Sequence, residues 1–205
     1  MKTKFNARAT PIILGSQSSR RSEILGFFNI PFAQVSSNFD EDSIPFNDDP
    51  KEYAQAISQG KAKAVAQAFP NAVVLTADTI VYKEGKIYQK PQHRDEGFRH
   101  LKELSRKWHS VFTGLSLSLK GSDFQIVEET RVLFNALTEQ QIQAYLQAFD
   151  CSDKAGGYGI QGGGGLIVKA MEGCYYNVLG LPINALCSLL RCIGIDLWTH
   201  FKRSS

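Results

Sequence analysis

Long apolar runs are missing from the start of this 205-residue chain: Ile12-Ile13-Leu14 is far too short for a signal peptide or a membrane span. Strong charge of either sign is missing too. A net charge of +3 suits an anionic small substrate but is too weak for a nucleic-acid-binding surface. Neither stable nucleic-acid binding nor a membrane partner is therefore expected. The four cysteines, Cys151, Cys174, Cys187 and Cys192, include no CxxC pair and no histidine at ligand spacing, which argues against a zinc site. Cys187 and Cys192 read as buried small hydrophobes on an apolar helix in a reducing compartment, and a cytoplasmic location follows by default. His93, His100, His109 and His200 sit in polar surroundings and form no triad-like pairing with Ser or Cys. No Walker P-loop is present, which argues against P-loop ATPase chemistry. No linker or internal repeat breaks the chain. It reads as one domain over residues 11–205 behind a short flexible leader at 1–10, with length enough for one α/β domain or two small lobes around a cleft.

What is present starts with Ala72 to Tyr82, a β-branched run without Gly or Pro that predicts a central strand. Asp78 stands in the middle of it. A lone carboxylate in a strand buried on both faces costs several kcal/mol unless a cation meets it. Two readings follow: the strand opens into a cleft at Asp78, or it ends near Thr76 and Asp78-Thr79 is a turn. Upstream, the helix that starts at Asp49-Pro50 carries Tyr53, Ile57 and Ala64 on its apolar face, and Lys61 shares that face. An inward Lys61 and an inward Asp78 each explain the other.

Pro11 to Leu14 form a short strand that runs into Gly15-Ser16-Gln17-Ser18-Ser19-Arg20-Arg21 and then a helix bearing Ile24, Leu25 and Phe28. Free N–H groups at a helix start favour an anion, and Ser18 or Ser19 can cap that helix. Arg20 and Arg21 oppose the helix dipole in its first turn, a local misfit that suggests a functional reason. The alternative is a solvated Ser-rich cap with surface arginines. A second strand, Phe32 to Ser36, leads into Asp40-Glu41-Asp42, where metal or water contacts compete with a plain solvated loop. Pro91 ends another strand and leaves Lys90 at its mouth, and a helix over Arg94 to Leu104 follows. Two alternating runs, His109 to Leu119 and Phe124 to Phe134, make an antiparallel hairpin. Thr138 with Gln141 predicts a capping box. The passage Asp153 to Gly165 spends so many glycines that positive φ and close backbone approach to a ligand are expected, with Tyr158 and Gln161 supplying stacking and amide contacts. A strand at Leu166 to Met171, a turn at Gly173 to Asn177 and a helix begun by Pro182 close the chain.

An arginine-bearing anion cradle, strand-end carboxylates and inward lysines suit a nucleotide polyphosphate with a divalent metal. The same residues carry a resemblance. Ser16 to Leu25, Ala77-Asp78-Thr79-Ile80-Val81, Lys90-Pro91, the Asp153 to Gly162 segment and Gly180-Leu181-Pro182 resemble, in order, the signature of the Maf family of nucleoside triphosphate pyrophosphatases. That resemblance implies an inosine-triphosphatase-like α/β fold, a mixed twisted sheet with flanking helices in two lobes around a central cleft, and a homodimer. It also implies hydrolysis of a nucleoside triphosphate to the monophosphate and pyrophosphate with Mg²⁺ or Mn²⁺. By position, Asp78 is the implied base, with Glu41, Lys61 and Lys90 supporting metal, water or phosphate, and the metal falling to Asp78 and Glu41. Ser16, Ser18 and Arg21 fall at the phosphate cradle, and Arg20, Thr79 and Gln161 match positions linked to base choice in the branch acting on dTTP and UTP. The branch acting on 7-methyl-GTP differs at those positions. Ser19 and Gly157 depart from the family's usual Pro and Ala. A septum-regulating binding protein is the competing class, and the retained inward charges argue against it. With Lys61, Lys90 and the arginines as counter-charge, Asp78 reads as a cleft residue at the end of the central strand.

Overall fold

The computed structural model describes residues 11–201; the leader expected at 1–10 lies outside the described residues. Seven strands, β1 (Ile12–Gly15), β2 (Phe32–Val35), β3 (Val73–Lys83), β4 (Lys86–Tyr88), β5 (Trp108–Leu119), β6 (Ser122–Phe134) and β7 (Val168–Glu172), form one mixed sheet. Their order is β2-β1-β3-β5-β6-β7, with β4 paired to β3. β1 pairs parallel with both β2 and β3, whereas β3–β4 and β6–β7 are antiparallel. The helices are α1 (Ser19–Leu25), α2 (Pro50–Ala68), α3 (Arg94–Leu104), α4 (Glu139–Ala148), the short α5 (Tyr175–Val178) and α6 (Ile183–Cys192). The α/β class and mixed sheet expected from the sequence are thus present.

The chain divides into two compact units. The first holds residues up to Asp78, 113–128 and the chain from Gly180 on; the second holds 79–112 and 129–179. In the first, the parallel strands are continuous apolar runs, Ile12-Ile13-Leu14 and Val73-Val74-Leu75, as expected for strands covered on both faces. Ile13 and Val74 pack under Ala62 and Val65 of α2. α2 starts where its sequence demands: Asp49 caps the N–H groups of Lys51 and Glu52 at 2.8 and 3.1 Å, with Pro50 in the first turn. It lies close to the strands because the neighbouring positions are bare. A Cβ on Gly114 would fall 2.5 Å from the Ala54 carbonyl oxygen, and one on Gly15 would fall 2.8 Å from Val65 and Thr76.

In the second unit, Val81, Tyr88, Leu101, Leu104, Val132, Phe134, Ile142 and Tyr145 make the core. The Thr138–Gln141 capping box forms as expected. Three local expectations shift. The strand expected from Ile87 ends at Tyr88, because the Gln89 carbonyl turns to accept the Gly156 N–H at 3.1 Å. Gly162–Leu166 winds into a 3-10 turn, so β7 starts only at Val168. The turn expected after Gly173 contains α5.

Candidate active site

The site is built outward from the register between α2 and β3. Thr76 and Asp78 point to one face of β3 because strand side chains alternate, and Ser58 and Lys61 share one face of α2. Two tie lines join these faces. The Thr76 hydroxyl donates to the Ser58 carbonyl at 2.7 Å, and one step further the Lys61 ammonium donates to Asp78 Oδ1 at 2.6 Å. Ser58 Oγ also shares a 2.9 Å bond with Ser116 Oγ of β5. Asp78 and Lys61 are both 6% exposed, so each supplies the counter-charge the other's burial requires. Asp78 is not at a strand end as expected. It lies mid-strand, and β3 continues to Lys83.

A single 3-10 turn, Glu41–Ser43, brings a second carboxylate to the same ammonium. Glu41 Oε1 lies 2.8 Å from Lys61 Nζ, and its side chain is 42% exposed. The acidic run divides its labour, since Asp40 caps the turn by accepting from the Asp42 N–H at 3.2 Å. Only Glu41 reaches Lys61. Two carboxylates within 3 Å of one ammonium form a converging oxygen set. Among the described residues, no group of three or more His, Cys, Asp or Glu is disposed to hold an ion. A hard divalent cation takes one or two carboxylates and completes its shell with water and phosphate oxygens, and Asp78 and Glu41 are the residues that would hold one here.

The cradle differs from the sequence expectation in its means. α1 has seven residues, and Ser18 is its N-cap residue without a capping side-chain bond, so a long helix dipole is not available. Arg21 carries the geometry instead. Its Nε donates to the Gly180 carbonyl at 2.8 Å and its Nη1 to Ser16 Oγ at 3.0 Å. Burial lowers the Arg21 guanidinium below its ordinary pKa, and the Asp78 carboxylate works against that shift. The Ser18 N–H also reaches Ser16 Oγ, at 3.3 Å. Gln34 of β2 donates its amide to the carbonyls of Ser16 and Ser18, at 2.7 and 3.2 Å. Those carbonyls are thereby turned toward β2. Ser16 is buried and Arg20 is half-buried. Gln34 was not anticipated, and Gly180 was expected only as part of the Gly180-Leu181-Pro182 motif, not as the acceptor for Arg21. A lone glutamine in the otherwise apolar strand Phe32–Val35 was the available signal for the first; a backbone carbonyl leaves none.

The remaining expected residues belong to the second unit. Thr79 follows Asp78 on β3 and is half-buried, Lys90 is exposed two residues past β4, and Gln161 is exposed. Tyr158 is not available as a stacking platform. It is 5% exposed, its hydroxyl shares a 2.7 Å bond with His109 Nε2, and its ring stands edge-on to Phe134 at 4.7 Å. The glycines around it serve the chain's own packing: Gly156 and Gly157 adopt positive φ, and a Cβ on Gly157 would press on Gly97. Two histidines expected in polar surroundings are also buried, His109 at 3% and His100 at 6%. Burial pushes His109 down to about 4. Cys192 is exposed and Cys187 half-buried, because α6 turns those positions away from Leu186, Leu189 and Leu190.

With this geometry in place, comparison with known proteins is decisive. The family model described as Maf-like protein matches residues 11–193. The chain belongs to the Maf family. Among curated relatives, the "dTTP/UTP pyrophosphatase" of Chlamydia caviae is 45% identical over 190 residues, covering 92% of this chain and 97% of its own. The protein of that name from Clostridium botulinum is 41% identical over 193 residues, covering 91% and 98%. Among solved structures, the Staphylococcus aureus Ham1 protein aligns over 61% of this chain and 72% of its own, at 13% identity and a TM-score of 0.44. Membership in the Maf family rests on the sequence matches and not on that partial overlap. No described helix is long and apolar enough to cross a membrane.

Proposed function

We propose that this Maf protein hydrolyses dTTP and UTP to the nucleoside monophosphate and pyrophosphate. The observation that carries the proposal is the buried Lys61 ammonium bonded to both Asp78 and Glu41, whose charges also act on the buried Arg21 guanidinium. In the route proposed, water attacks the α-phosphorus, the bond from that phosphorus to the α–β bridging oxygen breaks, and pyrophosphate leaves with that oxygen. Asp78 takes the proton of that water as general base. Lys61 holds the Asp78 carboxylate in place, and Arg21 opposes the charge that gathers on the leaving pyrophosphate. Ser16, Ser18 and Lys90 are assigned to the phosphates, and Arg20, Thr79 and Gln161 to the base. Bound Mg²⁺ or Mn²⁺, held by Asp78 and Glu41, would supply charge neutralisation on the triphosphate oxygens. A homodimer acting in the cytoplasm completes the proposal, on resemblance alone; a role in septum formation would be a separate property.

The test is a nucleotide panel with product identification. Pyrophosphate and monophosphate should appear faster from dTTP and UTP than from 7-methyl-GTP, and only with divalent metal. Orthophosphate release in place of pyrophosphate, or a preference for 7-methyl-GTP, overturns the reading.

A further inference from the structure

Gly60 stands inside α2, where glycine gives up more backbone freedom than any other residue and weakens the helix. What it accommodates is Phe39. A Cβ on Gly60 would fall 2.2 Å from Phe39 Cζ and 2.6 and 2.7 Å from its two Cε atoms, so the outer edge of the ring rests on bare helix backbone. The chain turns sharply to make that contact. Asn38 adopts a left-handed φ of 48°, and its N–H bonds the Ser36 hydroxyl at 3.3 Å. Asp40 is extended, with φ −77° and ψ 99°, so Phe39 and Glu41 point the same way. They land on consecutive residues of α2, Phe39 on Gly60 and Glu41 on Lys61 at 2.8 Å. All of these residues belong to the first unit.

The bonds within the 3-10 turn fix its shape and not its place. The Ser43 N–H and hydroxyl both donate to the Asp40 carbonyl, at 3.3 and 2.6 Å, and the Ile44 N–H donates to the Glu41 carbonyl at 3.2 Å. Phe39 supplies the place. We infer that Phe39, seated on Gly60, is a positioning residue that holds Glu41 at the Lys61 ammonium and thereby sets how tightly Asp78 and Glu41 take a divalent cation. The inference rests on the metal-holding role proposed for Glu41. A carboxylate on a loose turn loses main-chain freedom each time it is drawn to a cation, whereas an anchored turn has given that freedom up on folding. The locked ring is thus the support that a two-carboxylate set needs behind it.

The experiment compares wild type, Gly60→Ala, Phe39→Leu, the double variant of these two, and Glu41→Gln on dTTP across a Mn²⁺ titration. In Gly60→Ala the added methyl displaces the ring. The Mn²⁺ concentration for half-maximal turnover should rise about tenfold, with kcat at saturating Mn²⁺ within about twofold of wild type. The melting temperature should hold or rise, because alanine suits a helix interior better than glycine. A contact that only packs would lower the melting temperature and leave the Mn²⁺ dependence alone. Leucine lacks the three ring atoms that the methyl meets, so Phe39→Leu with Gly60→Ala should recover most of the loss. Gly60→Ala added to Glu41→Gln should weaken the Mn²⁺ dependence no further. In metal-free protein, hydrogen exchange at the Ser43 and Ile44 amides should quicken in Gly60→Ala while that in β1 stays slow. Should Gly60→Ala fail to fold, Phe39→Ala, which frees the turn from its half-buried ring, should give the same shift. Unchanged Mn²⁺ dependence in Gly60→Ala beside a weakened Glu41→Gln overturns the role of Phe39. Unchanged dependence in Glu41→Gln overturns the metal role of Glu41 and the inference with it. A wild type releasing no pyrophosphate overturns the proposed reaction, and exchange at Ser43 and Ile44 then decides whether Phe39 holds the turn.

Discussion

Asp78 and Lys61 form a buried pair whose removal is asymmetric. Losing one partner of such a pair costs about 3–5 kcal/mol, because the other charge stays buried, whereas replacing both with apolar groups is often neutral. Lys61→Met should therefore lower unfolding free energy by about that amount in urea titration, since Glu41, at 42% exposure, escapes to water and Asp78 does not. The double variant Lys61→Met with Asp78→Leu should recover most of the loss and remain inactive. Asp78→Asn should keep the fold, as judged by circular dichroism, and lose about 10²-fold or more in kcat. Much of this pair was legible in the sequence. Helical spacing put Lys61 on the face of Tyr53 and Ile57, and β-branched flanks put Asp78 in a strand. Tyr158 was misread because a tyrosine among glycines looks ligand-facing, while its true partner, His109, is distant in sequence. Alternation in β5 held the clue, since His109 shares the face of the buried Val111 and Thr113.

At the scale of elements, the Asp78–Lys61 pair depends on the register between α2 and β3, and that register has its own hydrogen bond. Thr76→Val removes the second hydrogen bond on the Ser58 carbonyl, which keeps its helical partner, a cost of about 0.5–1.5 kcal/mol. Because Lys61 and Asp78 are the next step along the same faces, kcat should fall with stability. Asp49→Ala removes the α2 cap at about 1 kcal/mol and should leave kcat unchanged. Steady-state kinetics beside thermal melts separate the two outcomes. Caps were readable from sequence because Asp-Pro and Thr-x-x-Gln are local patterns. The bonds that shape the cradle were not, because Gln34 acts on main-chain carbonyls and Arg21 reaches one 159 residues away.

At the scale of the whole molecule, burial of histidine makes stability depend on acidity. The folded pKa of His109, about 4, lies below the ordinary value of 6.5, so on acidification the unfolded chain binds the proton first. Stability is then lost as pH falls through the window between those values, by about 2 kcal/mol between about pH 7.5 and about pH 5. His100, also lowered by burial, adds in the same direction. Urea unfolding at the two pH values should show the loss, and His109→Gln should flatten it by about the His109 share. The sheet itself was broadly foreseen, because continuous apolar runs and the Lys120-Gly121 hairpin mark its strands; the division into two units was not located, because it cuts within β3, β5 and β6 instead of at a linker.

The bond from Arg21 to the Gly180 carbonyl has a consequence for the order of synthesis. Chains fold as they emerge, N-terminal parts first. Asp78, Lys61 and Glu41 are all made early, yet the guanidinium beside them finds its carbonyl only when translation has passed residue 180. A nascent chain halted before that point holds Asp78 and Lys61 without the Gly180 anchor of Arg21. The cradle is therefore completed by a segment made long after the residues that it serves.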